Sequence, residues 1–196
     1  MSAMTTTRVT NQDAAEVLFN VATILELAED NPYRVRAYRR AARLLLRTAD
    51  QSRLRVNDRH ELDLPGLGPR LRRKLGELLH TGQMRFYVEL CADLPREVAS
   101  LMEIPTIGPK TARRLHEELG LATAADVVEA AHEGKIRQLY GFGEKRERQL
   151  LAGAEQVLGG FRKVASPMPL EAEDDVIEAL PAPRTLTLLP SLPEAA

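Results

Sequence analysis

Apolar residues near the start of the chain recur every three or four positions, which is the spacing of an amphipathic helix. They are Ala14, Val17, Leu18, Val21, Ile24, Leu25 and Ala28. We expect Asn11 to be the N-cap of this helix, because asparagine is a good N-cap residue. Residues 1–10 are polar, and we expect them to be frayed.

A second helix is predicted to begin at Asn31-Pro32, because the fixed φ of proline suits the first helical position. One face would carry Val35, Tyr38, Ala42 and Leu45, and another would carry Arg36, Arg40, Arg43 and Arg47. The arginine stripe is either a solvated helix face or a surface for a polyanion, and the pattern leaves both open. A short helical turn at residues 52–56 would lead into the next segment.

A short glycine-containing sequence then occurs three times, each time before a helical pattern. The copies are Leu64-Pro-Gly-Leu-Gly-Pro-Arg70, Ile104-Pro-Thr-Ile-Gly-Pro-Lys110 and Leu139-Tyr-Gly-Phe-Gly-Glu-Lys145. The glycines are Gly66 and Gly68, then Gly108, then Gly141 and Gly143. The second copy has Thr106 where the others have their first glycine, and we expect this to strain or weaken that turn.

Each copy has a basic residue at the same offset, namely Arg70, Lys110 or Lys145. Glycines leave backbone N–H groups accessible, and the start of a helix favours an anion. The pattern is typical of the helix-hairpin-helix motif, which binds the DNA backbone with little sequence preference. The alternative is a simple Gly-Pro turn between core helices.

Helical patterns follow all three turns. Gly82 would end the first of these helices, and residues 84–94 would form another. Its inward positions would be Phe86, Val88, Leu90 and Cys91. The helix of the second copy would end at Gly120, a capping box at Thr123 would start the next helix, and the last would run to about Leu158.

No segment alternates apolar and polar residues as a half-buried strand does. The predicted fold class is therefore all-α, with two small helical domains at residues 11–94 and 95–160. The last 36 residues contain six prolines and six acidic residues. They predict a disordered, acidic and proline-rich tail at residues 161–196, with one candidate helix at residues 170–180.

The net charge of −1 conceals a strongly basic segment. From Arg34 to Lys74 there are 13 Arg or Lys residues against four Asp or Glu residues, a balance of +9. This excess indicates a polyanionic partner. Aromatic residues make up only 4% of the chain and Trp is absent, which argues against base stacking as the main grip on nucleic acid.

Cysteine and histidine usage excludes several other classes of site. The single cysteine, Cys91, lies in an apolar pattern and allows no disulfide within the chain, so a cytoplasmic location is expected. Four scattered histidines show no zinc-ligand spacing. No signal-peptide pattern or membrane-length apolar run is present, so a membrane partner is not expected.

The segment Asn31-Pro-Tyr-Arg-Val-Arg-Ala-Tyr-Arg-Arg-Ala-Ala42, followed by three hairpins, resembles the N-terminal part of family X DNA polymerases, the family of DNA polymerase beta. The resemblance covers residues 11–160 and is strongest for the bacterial members. It implies a domain that grips the 5′ side of a DNA gap, then a fingers-like domain that grips duplex. Nothing after residue 160 resembles the metal-binding palm, so we expect no nucleotide transfer from this sequence.

The resemblance also implies specific roles for individual residues. In the family, a lysine of this domain forms a Schiff base with a 5′-deoxyribose phosphate, and Lys74 aligns with it. Arg34 and Tyr38 match positions that bind the 5′-phosphate. Only a neutral amine attacks the sugar aldehyde, and we expect the neighbouring Arg70 to lower the pKa of Lys74. The alternative is a surface lysine that contacts phosphate.

The sequence departs from the family pattern at four positions of this region. Tyr33 replaces a histidine, Arg70 replaces a lysine, Leu62 stands where a second lysine occurs, and Arg72 replaces a small alanine. The resemblance further implies a monovalent cation, Na⁺ or K⁺, on backbone carbonyls of two hairpins. These are the carbonyls of Leu62, Leu64 and Leu67, and of Met102, Ile104 and Ile107. No other cofactor is expected.

Three hypotheses follow for the function. The first is a binding module for nicked, gapped or 5′-phosphate-bearing DNA in repair. The second is a deoxyribose-phosphate lyase of base excision repair in the bacterial cytosol or nucleoid. The third is a non-catalytic protein whose tail recruits a repair polymerase or ligase.

Overall fold

A computed structural model of the chain describes residues 9–48 and 56–161, together with Lys163 and Pro167. The regular structure in these residues is helical, apart from an isolated antiparallel bridge between Val56 and Leu62. The all-α prediction is confirmed. The predicted turn at residues 52–56 lies outside the described residues except for Val56, which forms the bridge instead. The predicted tail also lies outside them, apart from residues 161, 163 and 167.

Eight α-helices and one 3₁₀ helix follow one another in the described part of the chain. They are α1 (Asn11–Leu27), α2 (Pro32–Arg47), α3 (Pro69–Thr81), α4 (Arg85–Ala92), α5 (Arg96–Leu101), α6 (Pro109–Leu119), α7 (Ala124–His132), a 3₁₀ helix (Ile136–Gln138) and α8 (Glu144–Leu158). The predicted ends of α3 and α6 at Gly82 and Gly120 are confirmed, because both glycines are left-handed C-caps.

The N-cap of α1 is Thr10, so the prediction of Asn11 was wrong. The Thr10 hydroxyl accepts a hydrogen bond from the Asp13 N–H at 3.2 Å, and the Asp13 carboxylate accepts one from the Thr10 N–H at 2.8 Å. These two bonds form a capping box. Asn11 instead donates its side-chain amide to the Thr48 carbonyl at 2.7 Å. Val9 is buried, so residues 9 and 10 are ordered parts of the fold although the sequence predicted a frayed end.

Helix α1 lies at the centre of the molecule and contacts α2, α3, α4 and α6. Its buried side chains belong to one apolar cluster that extends as far as Ala154 in α8. Within this cluster, the buried Asn20 side chain donates to the Tyr87 hydroxyl at 3.2 Å. The bond satisfies a polar group of each residue, which allows both to be buried.

Helix α4 buries Cys91, as predicted, together with Tyr87, which was not predicted. Tyr87 and Cys91 are its buried side chains, whereas Phe86, Val88 and Leu90 are only partly buried. The prediction failed for Tyr87 because its hydroxyl needed a buried partner, and the sequence did not show that Asn20 would provide one. The displaced Phe86 becomes available to the functional site.

The chain beyond α8 returns to α1. The Lys163 ammonium lies 2.6 Å from the Glu16 carboxylate and donates to the Met102 carbonyl at 3.2 Å. Its side chain is only 12% exposed. Lys163 therefore connects the segment after α8 both to the central helix and to the start of the second hairpin.

Candidate nucleic-acid interface

The three glycine-containing turns share one backbone geometry. In each, the N–H of the fourth residue donates to the carbonyl of the first. These bonds are Leu67 to Leu64 at 3.4 Å, Ile107 to Ile104 at 3.1 Å and Phe142 to Leu139 at 2.9 Å. The third residue has a positive φ, which is +86° at Gly66, +70° at Thr106 and +81° at Gly141. Such a bond with positive φ at this position is characteristic of a type II turn.

Thr106 adopts the conformation that glycine supplies in the other two turns. A β-branched residue at positive φ is uncommon because its Cβ crowds the backbone. The turn still forms, and the Thr106 carbonyl accepts a hydrogen bond from the Arg146 guanidinium at 2.7 Å. The second hairpin therefore has the same shape as the others and contains a strained residue.

The helix after each turn starts at a glycine without a side-chain cap. Gly68, Gly108 and Gly143 are the N-caps of α3, α6 and α8, whereas α1, α2 and α7 are capped by side chains. A Cβ added to Gly68 or Gly143 would meet no heavy atom within 4 Å, and both have ordinary negative φ values. Neither a positive φ nor the packing requires glycine there, and the space beside the start of each of these two helices is open.

The first hairpin opens onto a cleft of about 1120 Å³ between α2 and α3. Six cationic side chains line it: Arg34, Arg36, Arg40, Arg70, Arg73 and Lys74. No Asp or Glu is among the lining residues. Two of the cations have carboxylate partners, since Arg34 lies 2.5 Å from Asp30 and Arg73 lies 3.2 Å from Glu61. Within the described residues, no carboxylate pairs with Arg40 or the other two arginines, so the cleft is basic.

Lys74 lies against an aromatic wall of this cleft. Its ammonium donates to the Tyr38 hydroxyl at 3.0 Å and lies 2.9 Å from the centre of the Phe86 ring. The Tyr38 and Phe86 rings are nearly parallel, with centroids 6.0 Å apart. The wall fixes the position of the amine and removes part of its water. Phe86 was missed as a site residue because its helical position predicted a core role.

Burial lowers the pKa of Lys74 to about 8, and the positive charge of Arg34 contributes to this shift. Glu89 and Glu77 oppose it, and Arg70 supports it more weakly. The sequence had predicted Arg70 as the cause, but desolvation and Arg34 contribute more. At a pKa of about 8, about one lysine in ten is neutral at pH 7, compared with about one in 3,000 at the ordinary value.

A second, smaller cleft joins the second and third hairpins. It has a volume of about 310 Å³ and is lined by Lys110, Thr111, Arg114, Gly141, Phe142 and Arg146. Arg114 lies 5.0 Å from the centre of the Phe142 ring and donates to the Tyr140 carbonyl at 3.1 Å. Arg114 was not predicted, although it lies one helical turn after Lys110 on the same face. No acidic residue lines this cleft, and of its three cations Arg114 is paired with Glu118 at 2.6 Å.

The structure brings most of the predicted site residues together. Arg34, Tyr38, Gly66, Gly68, Arg70 and Lys74 line the first cleft, and Lys110 and Gly141 line the second. Thr106 borders the second cleft through its bond to Arg146. Gly108, Gly143 and the exposed Lys145 line neither cleft.

Two of the carbonyls proposed for a monovalent cation already accept a hydrogen bond from a cationic side chain. The Leu67 carbonyl accepts from the Arg72 guanidinium at 3.1 Å, and the Met102 carbonyl accepts from Lys163 at 3.2 Å. Among the described residues, no group of three His, Cys, Asp or Glu side chains could hold a metal ion. Of the helices in that part of the chain, none combines the length and apolar character needed to span a membrane.

Comparison with known proteins agrees with this geometry. A family model described as a helix-hairpin-helix domain matches residues 9–84, and one described as a SAM-like helix-hairpin-helix tandem matches residues 98–156. These two matches support DNA binding by the chain. The DNA polymerase/3′-5′ exonuclease PolX of Bacillus subtilis (strain 168) is 30% identical over 159 residues, which is 81% of this chain and 27% of that protein. The chain thus spans about a quarter of the length of this curated relative. The chain is related to the amino-terminal, helix-hairpin-helix region of the family X DNA polymerases.

Proposed function

We propose that this protein grips the sugar-phosphate backbone of nicked or gapped DNA, with the first cleft holding the 5′-phosphate. The observation that carries the proposal is the composition of that cleft, in which six cations and no carboxylate line the space beside the start of α3. A terminal phosphate carries more negative charge than an internal one and suits such a cleft. Guanidinium groups can also bind it with two parallel hydrogen bonds.

The uncapped helix starts support backbone contact without base readout. Serine or aspartate would cap α3 and α8 better than Gly68 and Gly143 do. The glycines are explained if a phosphate approaches closely at these positions, where a Cβ would lie between the amides and the ligand. Contacts of this kind position a protein on DNA without reading its sequence.

The second cleft supports contact with duplex on the other side of the gap. Lys110, Arg114 and Arg146 come from two different hairpins and converge there. Two of the three are oriented by bonds to turn carbonyls, so the cations are held in place before DNA arrives. Side chains that are already ordered lose less entropy on binding.

Binding to gapped duplexes with a 5′-phosphate or a 5′-hydroxyl tests this proposal. We expect tighter binding to the phosphate form, a steep loss of affinity with salt, and little dependence on sequence. Arg40→Gln and Arg70→Gln should each reduce the phosphate preference and lower the salt slope by about 0.9. The control is Arg96→Gln, because Arg96 is exposed and lines neither cleft. Equal affinity for both ends in the wild-type protein would contradict the assignment of the first cleft.

The environment of Lys74 favours a second candidate function, removal of a 5′-deoxyribose phosphate. The amine would add to the sugar aldehyde at C1′, and loss of water would give the Schiff base. Loss of a C2′ proton would then expel the 3′-phosphate, and water would hydrolyse the imine to free the lysine. A pKa of about 8 supplies the neutral amine that the first step needs.

Trapping with borohydride separates this candidate from simple binding. We expect a covalent adduct on a gapped duplex with a 5′-deoxyribose phosphate, forming faster as the pH rises towards 8 and absent in Lys74→Ala. Lys135→Ala is the matched control and should retain the adduct, because Lys135 is exposed and lines neither cleft. If wild-type protein binds the gap but gives no adduct at any pH, Lys74 contacts phosphate only and the lyase proposal is wrong.

A further inference from the structure

The first hairpin carries an arginine beside the carbonyl where the family resemblance implies a monovalent ion. The Arg72 guanidinium donates from Nε to the Leu67 carbonyl at 3.1 Å. Its other partner, Asp63, is 3.9 Å away and largely exposed, so the carbonyl bond holds the side chain at the hairpin. Arg72 stands where the family has a small alanine, which could not reach this carbonyl.

The second hairpin has a different cation at the corresponding place. Lys163 lies 61 residues after Met102 in the sequence and donates to its carbonyl at 3.2 Å. The ammonium is nearly buried and is paired with Glu16. An ammonium is a compact point charge and satisfies a carbonyl dipole as an alkali ion does. Two separate segments of the chain therefore each place a cationic group on one carbonyl of a predicted ion site.

We propose that Arg72 and Lys163 take the place of the monovalent cation in these hairpins, so that neither hairpin depends on Na⁺ or K⁺. An alkali ion bound to the same carbonyl oxygen would lie within about 6 Å of the donating nitrogen, because each would be about 3 Å from that oxygen, and like charges at this separation repel. The side chains also cannot dissociate at low salt. One carbonyl of each hairpin thereby has a covalently attached cationic partner.

The inference is tested by exchanging the cation at constant ionic strength. The melting temperature and the affinity for gapped DNA would be measured in chloride salts of Na⁺, K⁺, Li⁺ and tetramethylammonium, the last being too large to enter a carbonyl site. For the wild-type protein we expect melting temperatures within about 1 °C and affinities within about twofold across the four salts. A gain of several degrees that is specific to Na⁺ or K⁺ would overturn the inference.

Substitution makes the test reciprocal. Arg72→Ala restores the small residue and should create a cation requirement, seen as a higher melting temperature and several-fold tighter DNA binding in K⁺ than in tetramethylammonium. Lys163→Met should do the same through the second hairpin, independently of whether Arg72→Ala folds. Arg96→Ala removes an equal charge elsewhere, and its melting temperature and DNA affinity should not depend on the choice of cation. If Arg72→Ala and Lys163→Met respond to the choice of cation no more than the wild-type protein does, the proposal that these side chains replace the ion is wrong.

The binding readout rests on the proposed function, whereas the melting temperature does not. If the protein failed to bind gapped DNA in every salt, the proposed function would be wrong, and the melting data would still decide whether the hairpins need an ion. If binding were strong but specific to K⁺, the function would stand and this inference would fall.

Discussion

Replacing Thr106 by glycine should stabilise the protein. Thr106 has a φ of +70° in a turn whose two counterparts have glycine at this position. The Thr106 side chain is exposed, so removing it loses no buried surface. The hydrogen bond from Arg146 goes to the backbone carbonyl, which glycine also has. The change therefore removes strain without removing a described contact.

The magnitude follows from two opposing terms. A non-glycine residue in the left-handed region costs about 1–2 kcal/mol. Glycine makes the unfolded chain more flexible, which costs about 0.4–1 kcal/mol. We expect a net gain of about 0.5–1 kcal/mol in the free energy of unfolding, or about 1–4 °C in melting temperature for a chain of this length.

Urea unfolding of Thr106→Gly beside the wild-type protein measures this gain, with the slope m compared to confirm that the unfolded state is similar. Thr106→Ala is the control, because alanine retains the positive φ and should recover little of the strain. Gly141→Ala is the reciprocal change, since a Cβ there meets no heavy atom within 4 Å and only φ opposes it. The Gly141→Ala protein should have a free energy of unfolding about 1 kcal/mol lower than that of the wild-type protein. A Thr106→Gly protein that is less stable than Thr106→Ala would refute the argument from strain.

Three further predictions concern other parts of the molecule. In Gly76→Ala the new Cβ would lie 1.7 Å from the His60 carbonyl oxygen, so the loop before the first hairpin must move, and urea unfolding should show a loss of about 3 kcal/mol. Because the pKa of Lys74 is lowered in the folded state, the folded protein loses this proton at a lower pH than the unfolded chain does. The free energy of unfolding of the wild-type protein should therefore increase between about pH 8 and the ordinary lysine pKa. Lys74→Met should lack this gain, as unfolding at pH 7.5 and 9.5 would show. Glu147 is buried and accepts from the Arg137 guanidinium at 2.7 Å and from its N–H at 2.9 Å. Glu147→Ala should cost about 2 kcal/mol in thermal or urea unfolding, whereas Glu144→Ala, an exposed control, should cost little.

The helices and the three turns could be predicted from the sequence because their determinants are local. Apolar spacing located α1 and α2, and left-handed glycines ended α3 and α6 at Gly82 and Gly120. The N-cap of α1 was misplaced by one residue because Thr10 and Asn11 are both good caps. Only the reciprocal bond with Asp13 decides between them.

The chemistry of the site depended on contacts between distant segments and was harder to predict. Lys74 was identified by resemblance, but the burial that shifts its pKa comes partly from Phe86, which the helical pattern assigned to the core. Arg72 was noticed only as a departure from the family pattern, and Lys163 was not singled out. Their contacts with hairpin carbonyls are made only in the folded chain, so the sequence did not reveal them.

The central position of α1 has a mechanical consequence. Asn20 bonds to Tyr87 on one side, and its side-chain oxygen lies 3.0 Å from where a Cβ on Gly108 would be. The same helix contacts both α3 and α6, which follow the first and second hairpins. The two basic clefts are therefore connected through one helix, so a substitution that loosens the packing of α1 should weaken both clefts at once.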